Sequence, residues 1–110
     1  PGNALELCHL DVGAGEQIDD AIAHLKSALQ KEDSNGFAWY QLSRAYEQKN
    51  QTPLALYATA EQAFAMGDLQ RARAFALRAQ DDLINNRPQW RRASDIIVIS
   101  DAQLRKRRRK

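Results

Sequence analysis

Apolar side chains recur along this chain at intervals of three and four residues, the period that gathers them on one face of an α-helix. The clearest stripe is Ile18, Ala21, Ile22, Leu25, Ala28 and Leu29, which predicts a helix from about Gln17 to Gln30. "KEDSNG" ends it and offers Ser34 or Asn35 as N-cap for a second stretch, Phe37–Gln48, built on Trp39, Leu42 and Tyr46. "KNQTP" is a turn with Thr52 as N-cap and Pro53 at the first helical position, where no amide donor is needed, and it opens a helix over Pro53–Phe64. At "MGD", Gly67 tolerates a left-handed corner and Asp68 caps a helix over Leu69–Ile84. "NNRP" stops that helix, and the last one starts at Pro88 and reaches Asp101 or beyond. Its "IIVI" run has strand propensity, but a lone strand would have no partner in an all-helical chain. With a short helix over Ala4–Leu10 ahead of "DVGAGE", the pattern predicts six helices.

The stripes also repeat. A shift of 34 residues lays Leu5 under Trp39, Cys8 under Leu42, Val12 under Tyr46 and Ala21 under Ala55. Trp, Leu, Tyr and a later Ala at these offsets follow the tetratricopeptide (TPR) pattern of a helical hairpin that buries its apolar face only by stacking on neighbours. Ala21, Ala28, Ala55, Ala72 and Ala79 then read as points of close helix approach, where a larger side chain would not fit. The strict period fails after Ala55, since Ala72 follows only 17 residues later, but the alternation of helices continues. The expected fold is all-α: a right-handed superhelix of antiparallel helical hairpins, a TPR-like α-solenoid. Residues 1–103 form its single domain, with Leu25, Leu29, Trp39, Leu42, Tyr46, Ala55, Ala72 and Leu83 in the core.

Two segments together carry a more specific likeness. Asn35, Phe37, Ala38, Trp39, Gln41, Leu42, Ala45 and Tyr46 are followed, after an Ala-rich helix, by Gly67, Asp68, Leu69, Ala72, Arg73, Ala76 and Ala79. Over roughly residues 16–97 the chain resembles the C-terminal TPR region of bacterial BepA-like zinc metalloproteases; Ser43, where that family has Ala or Gly, departs from it. The resemblance implies an extracytoplasmic, periplasmic or membrane-associated zinc endopeptidase acting in envelope protein quality control. Its zinc would be held by an upstream H-E-x-x-H helix. This chain contains no "HE" dipeptide, so the catalytic residues and the zinc are expected outside it, and the region itself is expected not to be an enzyme. Its role would be to engage protein or peptide substrates or envelope assembly factors. The alternative is a free-standing TPR scaffold with no protease attached. A start at Pro1-Gly2 without Met reads as a piece of a longer protein.

Charge and rare residues change this picture little. Residues 105–110 hold 6 of the 16 Lys and Arg, so the remainder carries 10 basic against 14 acidic groups and the basic character belongs to the tail. Residues 104–110 are expected to be a disordered, basic extension, able to make a weak contact with an anionic membrane. Nucleic acid is not expected as a partner, because no aromatic residue interleaves the charges. No apolar run approaches the roughly 18 residues of a membrane span. The single Cys8 excludes an internal disulfide and falls where the repeat wants a buried Leu; with His9 and His24 it shows no metal-ligand spacing.

With Trp39 facing inward, the opposite side of its helix carries Phe37, Tyr40, Arg44, Glu47 and Gln48, and these are the expected partner-binding residues. Tyr40 and Arg44, one turn apart, offer an aromatic face and a two-pronged donor for a peptide carboxylate or carbonyl. Tyr57 and Glu61 form a similar pair on the next helix. In a TPR stack the first helix of each hairpin lines the concave face. The clamp for a chaperone-tail carboxylate needs Lys and Asn at places held here by Glu6, Leu10, Tyr40 and Arg44, so an adaptor of that kind is not expected.

Overall fold

The computed structural model describes residues 14–108, which form five helices. These are α1 (Ala14–Lys31), α2 (Gly36–Gln48), α3 (Thr52–Ala65), α4 (Leu69–Gln80) and α5 (Arg87–Arg108). Among the described residues there is no strand; "IIVI" lies inside α5. The helix expected over Ala4–Leu10 falls outside the described residues.

The helix ends follow from local chemistry. Asn35, rather than Ser34, caps α2: its Oδ1 accepts the Ala38 N–H at 3.1 Å. Two corners close in the same way. Asn50 takes φ 60° after α2, and the amides of Gln51 and Asn50 reach back to the carbonyls of Tyr46 (2.9 Å) and Glu47 (3.0 Å). Gly67 takes φ 81° after α3, with Asp68 bonded to Ala63 (2.9 Å) and Gly67 to Phe64 (3.1 Å). This paired return of amides satisfies carbonyls that the helix end would leave bare. Thr52 is not the cap it was expected to be. The Gln51 carbonyl already accepts the Ala55 amide at 3.0 Å, which makes Thr52 the first helical residue and leaves the cap without a side-chain bond. Asp68 does cap α4, accepting the Arg71 amide at 3.3 Å.

Each helix packs against its chain neighbours, and α3 also touches α5. The core falls into two clusters that share α3. Ala55 and Ala58 pack with Leu25, Leu29, Trp39, Leu42 and Tyr46 of α1 and α2. Ala60 and Ala63 pack with Ala72, Ala76, Ala79, Leu83 and Ile96 on the other side. A helix buried on two sides can carry no clean polar face, which explains why α3 is so rich in Ala. The small side chains let the helices approach closely, and the α2–α3 junction shows it. The hydroxyls of Ser43 and Thr59 lie 2.8 Å apart and both reach the Ala55 carbonyl, at 3.1 and 2.9 Å. A serine where the resembled family has Ala or Gly thus stays small and finds partners. All eight core residues expected from the sequence are buried. Ala28 is the exception among the alanines: it lies at the edge of its stripe and is exposed, so it marks no close approach.

At the C-terminus the helix does not stop at the basic run. α5 continues through Arg108, where a disordered tail was expected from residue 104. Nothing between Pro88 and Arg108 breaks a helix, Arg and Lys are good helix formers, and cations in the last turn suit the negative end of the helix dipole.

Candidate functional site

The outward face of α2 is the best-defined candidate surface. At 3.6 residues per turn, Phe37, Tyr40, Arg44, Glu47 and Gln48 fall opposite Leu42. Four of the five are exposed and Arg44 is half-buried. The Phe37 and Tyr40 rings stack with centroids 6.3 Å apart. The Arg44 guanidinium sits 5.9 Å from the Tyr40 centroid and donates a long hydrogen bond, 3.4 Å, to the Tyr40 hydroxyl. Its Nε is buried without a hydrogen-bond partner, and no carboxylate pairs with it among the described residues. A guanidinium held against a ring with donors to spare is suited to an incoming carboxylate or carbonyl.

The end of α3 completes this surface. Met66, just before the Gly67 corner, is 71 % exposed, and Phe37 beside it is 62 % exposed. With Gly36, Tyr40, Gln62 and Ala65 they line an open, largely apolar depression of about 580 Å³. Gly36 lies against the same wall: a Cβ there would make ordinary van der Waals contact with Met66 Cγ at 3.4 Å and with the Ala65 side chain at 3.9 Å. Sequence reasoning missed Met66, Gln62 and Ala65. The available signal was a large apolar residue at a helix C-terminus, outside the stripe and followed at once by Gly-Asp.

Tyr57 and Glu61 do not belong to this surface. Glu61 is buried, and its carboxylate accepts three hydrogen bonds: Arg92 Nε at 2.9 Å, Arg92 Nη2 at 3.1 Å and the Tyr57 hydroxyl at 2.8 Å. Arg92 in turn lies 5.3 Å over the Phe64 ring, and Tyr57 meets Trp39 edge-on at 5.7 Å. Burial, and then the negative charge of Glu61, push the Tyr57 hydroxyl well above the ordinary tyrosine range. The hydrogen bond to Glu61 holds the Arg92 guanidinium protonated even more firmly than usual. The pair expected to meet a partner is therefore an internal tie between α3 and α5. Arg92, thirty-one positions beyond Glu61, turns it inward, and the i, i+4 spacing of Tyr57 and Glu61 contains no trace of that.

Of the helices that are not chain neighbours, α3 and α5 touch, while α1 and α3, and α2 and α4, do not. A second, smaller depression of about 280 Å³ is lined by Lys26 and Gln30 of α1, Trp39, Leu42 and Tyr46 of α2, Tyr57 of α3 and Gln89 of α5.

Among the described residues, no three His, Cys, Asp or Glu side chains are grouped to hold a metal ion, and no helix is long and apolar enough to cross a membrane. Cys8 and His9 lie outside the described residues. Comparison with protein-family models, curated proteins and solved structures returns no match for this chain.

Proposed function

We propose that this helical region is a protein-interaction module that holds a segment of another polypeptide against the outer face of α2. The observation that carries the reading is the exposed Phe37–Tyr40–Met66 surface ending at Arg44, whose guanidinium has no anionic partner within the described residues. Large apolar groups held in water beside an unpaired cation favour a partner that brings an aliphatic or aromatic side chain next to a carboxylate or a free carbonyl. Tyr, Phe, Met and Arg are residue types enriched at protein interfaces, and Tyr and Arg among those that carry most of the binding energy.

The successive helical hairpins and the Ser43–Ala55 junction support a TPR-like superhelix as the scaffold. The resemblance over roughly residues 16–97 supports a place beside an upstream zinc endopeptidase of the bacterial envelope, in the periplasm or at its membranes, with substrates or assembly factors as partners. The reading frame ahead of Pro1 tests that part: an H-E-x-x-H helix supports it, and further repeat units with no such motif favour a free-standing scaffold.

The binding surface is tested by Tyr40→Ala with Arg44→Ala in the parent protein. Capture of the natural protein substrate should fall, while turnover of a short unstructured peptide should not change. Capture equal to wild type would refute the surface.

A further inference from the structure

We propose that the exposed face of α5 docks the protein on an anionic membrane surface. The charge of this chain is split far more strongly than its net value of +2 indicates. Residues 1–68 hold 4 basic and 10 acidic groups, whereas residues 69–110 hold 12 basic and 4 acidic. Some of these are tied up in ion pairs within the fold. Arg92 serves Glu61, and Arg73 holds Asp101. Arg91, Arg105 and Lys106 form no ion pair among the described residues, and all three are exposed.

The continuity of α5 turns these cations into a surface. Arg91, Val98, Ala102 and Arg105 follow at seven, four and three positions, so they lie along one side of the helix, with Ile99 and Lys106 flanking them. Val98 is 65 % exposed and Ile99 36 %. The result is an aliphatic centre bracketed by cations over roughly 22 Å of helix. One carboxylate, Asp95, interrupts it.

The aliphatic centre decides between anionic partners. A nucleic acid would use the cations and aromatic stacking but gains nothing from exposed Val98 and Ile99. A lipid surface uses both, with cations on the headgroups and aliphatic side chains at the boundary of the acyl chains. This inference is independent of the α2 surface, which lies on a different helix.

The test is sedimentation of the full chain with vesicles of equal parts phosphatidylglycerol and phosphatidylcholine, against phosphatidylcholine alone. Binding is expected on the anionic vesicles only, and should weaken at high salt. Each cation near such a surface contributes about fivefold in partition, so Arg105→Gln with Lys106→Gln should weaken binding about 25-fold. Val98→Asp, on an exposed site that leaves the fold intact by circular dichroism, should weaken it at least tenfold. Absence of binding to anionic vesicles would overturn the proposal. So would Val98→Asp binding as wild type, which would reduce the effect to diffuse charge, or a single-stranded RNA that displaces the protein from the vesicles at equal phosphate concentration.

Discussion

Removing Arg92 while leaving Glu61 in place should be the most revealing single change to this fold. The Glu61 side chain is only 6 % exposed, and Arg92 supplies two of its three hydrogen bonds at 2.9 and 3.1 Å. Breaking one side of a buried ion pair costs about 3–5 kcal/mol, because the remaining charge is left unpaired. Arg92 is 37 % exposed, so water can reach part of the site, and we expect the lower figure of about 2–3 kcal/mol for Arg92→Met. The Met side chain keeps most of the contact with Phe64. Glu61→Leu alone should cost about 1–2 kcal/mol, since Arg92 can swing into solvent but Tyr57 loses its acceptor. The double variant Glu61→Leu, Arg92→Met should cost about 1 kcal/mol or less, because well-packed apolar replacements of a buried pair are often neutral. The coupling in that cycle is then at least about 2 kcal/mol, well above the few tenths expected of independent sites. Urea denaturation followed by circular dichroism measures all four proteins. For a domain of this size, Arg92→Met should also lower the melting temperature by roughly 10–20 °C. Additive single changes, or a loss below about 0.5 kcal/mol for Arg92→Met, would mean that Glu61 is not an internal tie. Its carboxylate would then be free to meet a partner.

Three further outcomes follow from the same structure. Trp39→Ala should cost about 3–5 kcal/mol, the range for a buried aromatic, and it also removes the 2.8 Å hydrogen bond from the indole to the Asp33 carbonyl; denaturant melts would show it. Gly67→Ala should cost about 1–2 kcal/mol through backbone strain alone, because φ is 81° and no atom lies within 4 Å of the added Cβ; urea melts reading less than 0.3 kcal/mol would refute the left-handed corner. The raised Tyr57 hydroxyl sets a pH dependence: the unfolded chain ionises this tyrosine near pH 10 while the native state does not, so stability is intact below about pH 10 and falls as pH rises above it. Melting temperatures across that range should fall less steeply for Tyr57→Phe, with a remainder from Tyr46, whose hydroxyl is also raised by burial.

The parts legible in the sequence are those where one periodic face decides the outcome. α1 and α2 each bury one side, so Leu25, Leu29, Trp39, Leu42 and Tyr46 could be assigned inward and Phe37, Tyr40, Arg44, Glu47 and Gln48 to the far side of their helix. α3 has no such single face. It packs against α2 on one side and against α4 and α5 on the other, and there a local pair such as Tyr57 and Glu61 cannot reveal which side it meets. The C-terminal run shows a different limit. Its composition suggested a solvated tail, but composition does not report that the preceding helix has no stop signal. Thr52 missed its cap by one residue because the Asn50 corner, formed by backbone amides, sets where the next helix begins.

The most direct test of the interaction surface is site-specific photocrosslinking in the native cell. A photoreactive side chain at position 37 replaces Phe37 on the α2 surface, and one at position 84 replaces Ile84, equally exposed but outside that surface. The account predicts a discrete protein adduct from position 37 that is lost when Arg44→Ala is added, and none from position 84. No adduct at position 37, or the same adducts from both positions regardless of Arg44, would contradict it.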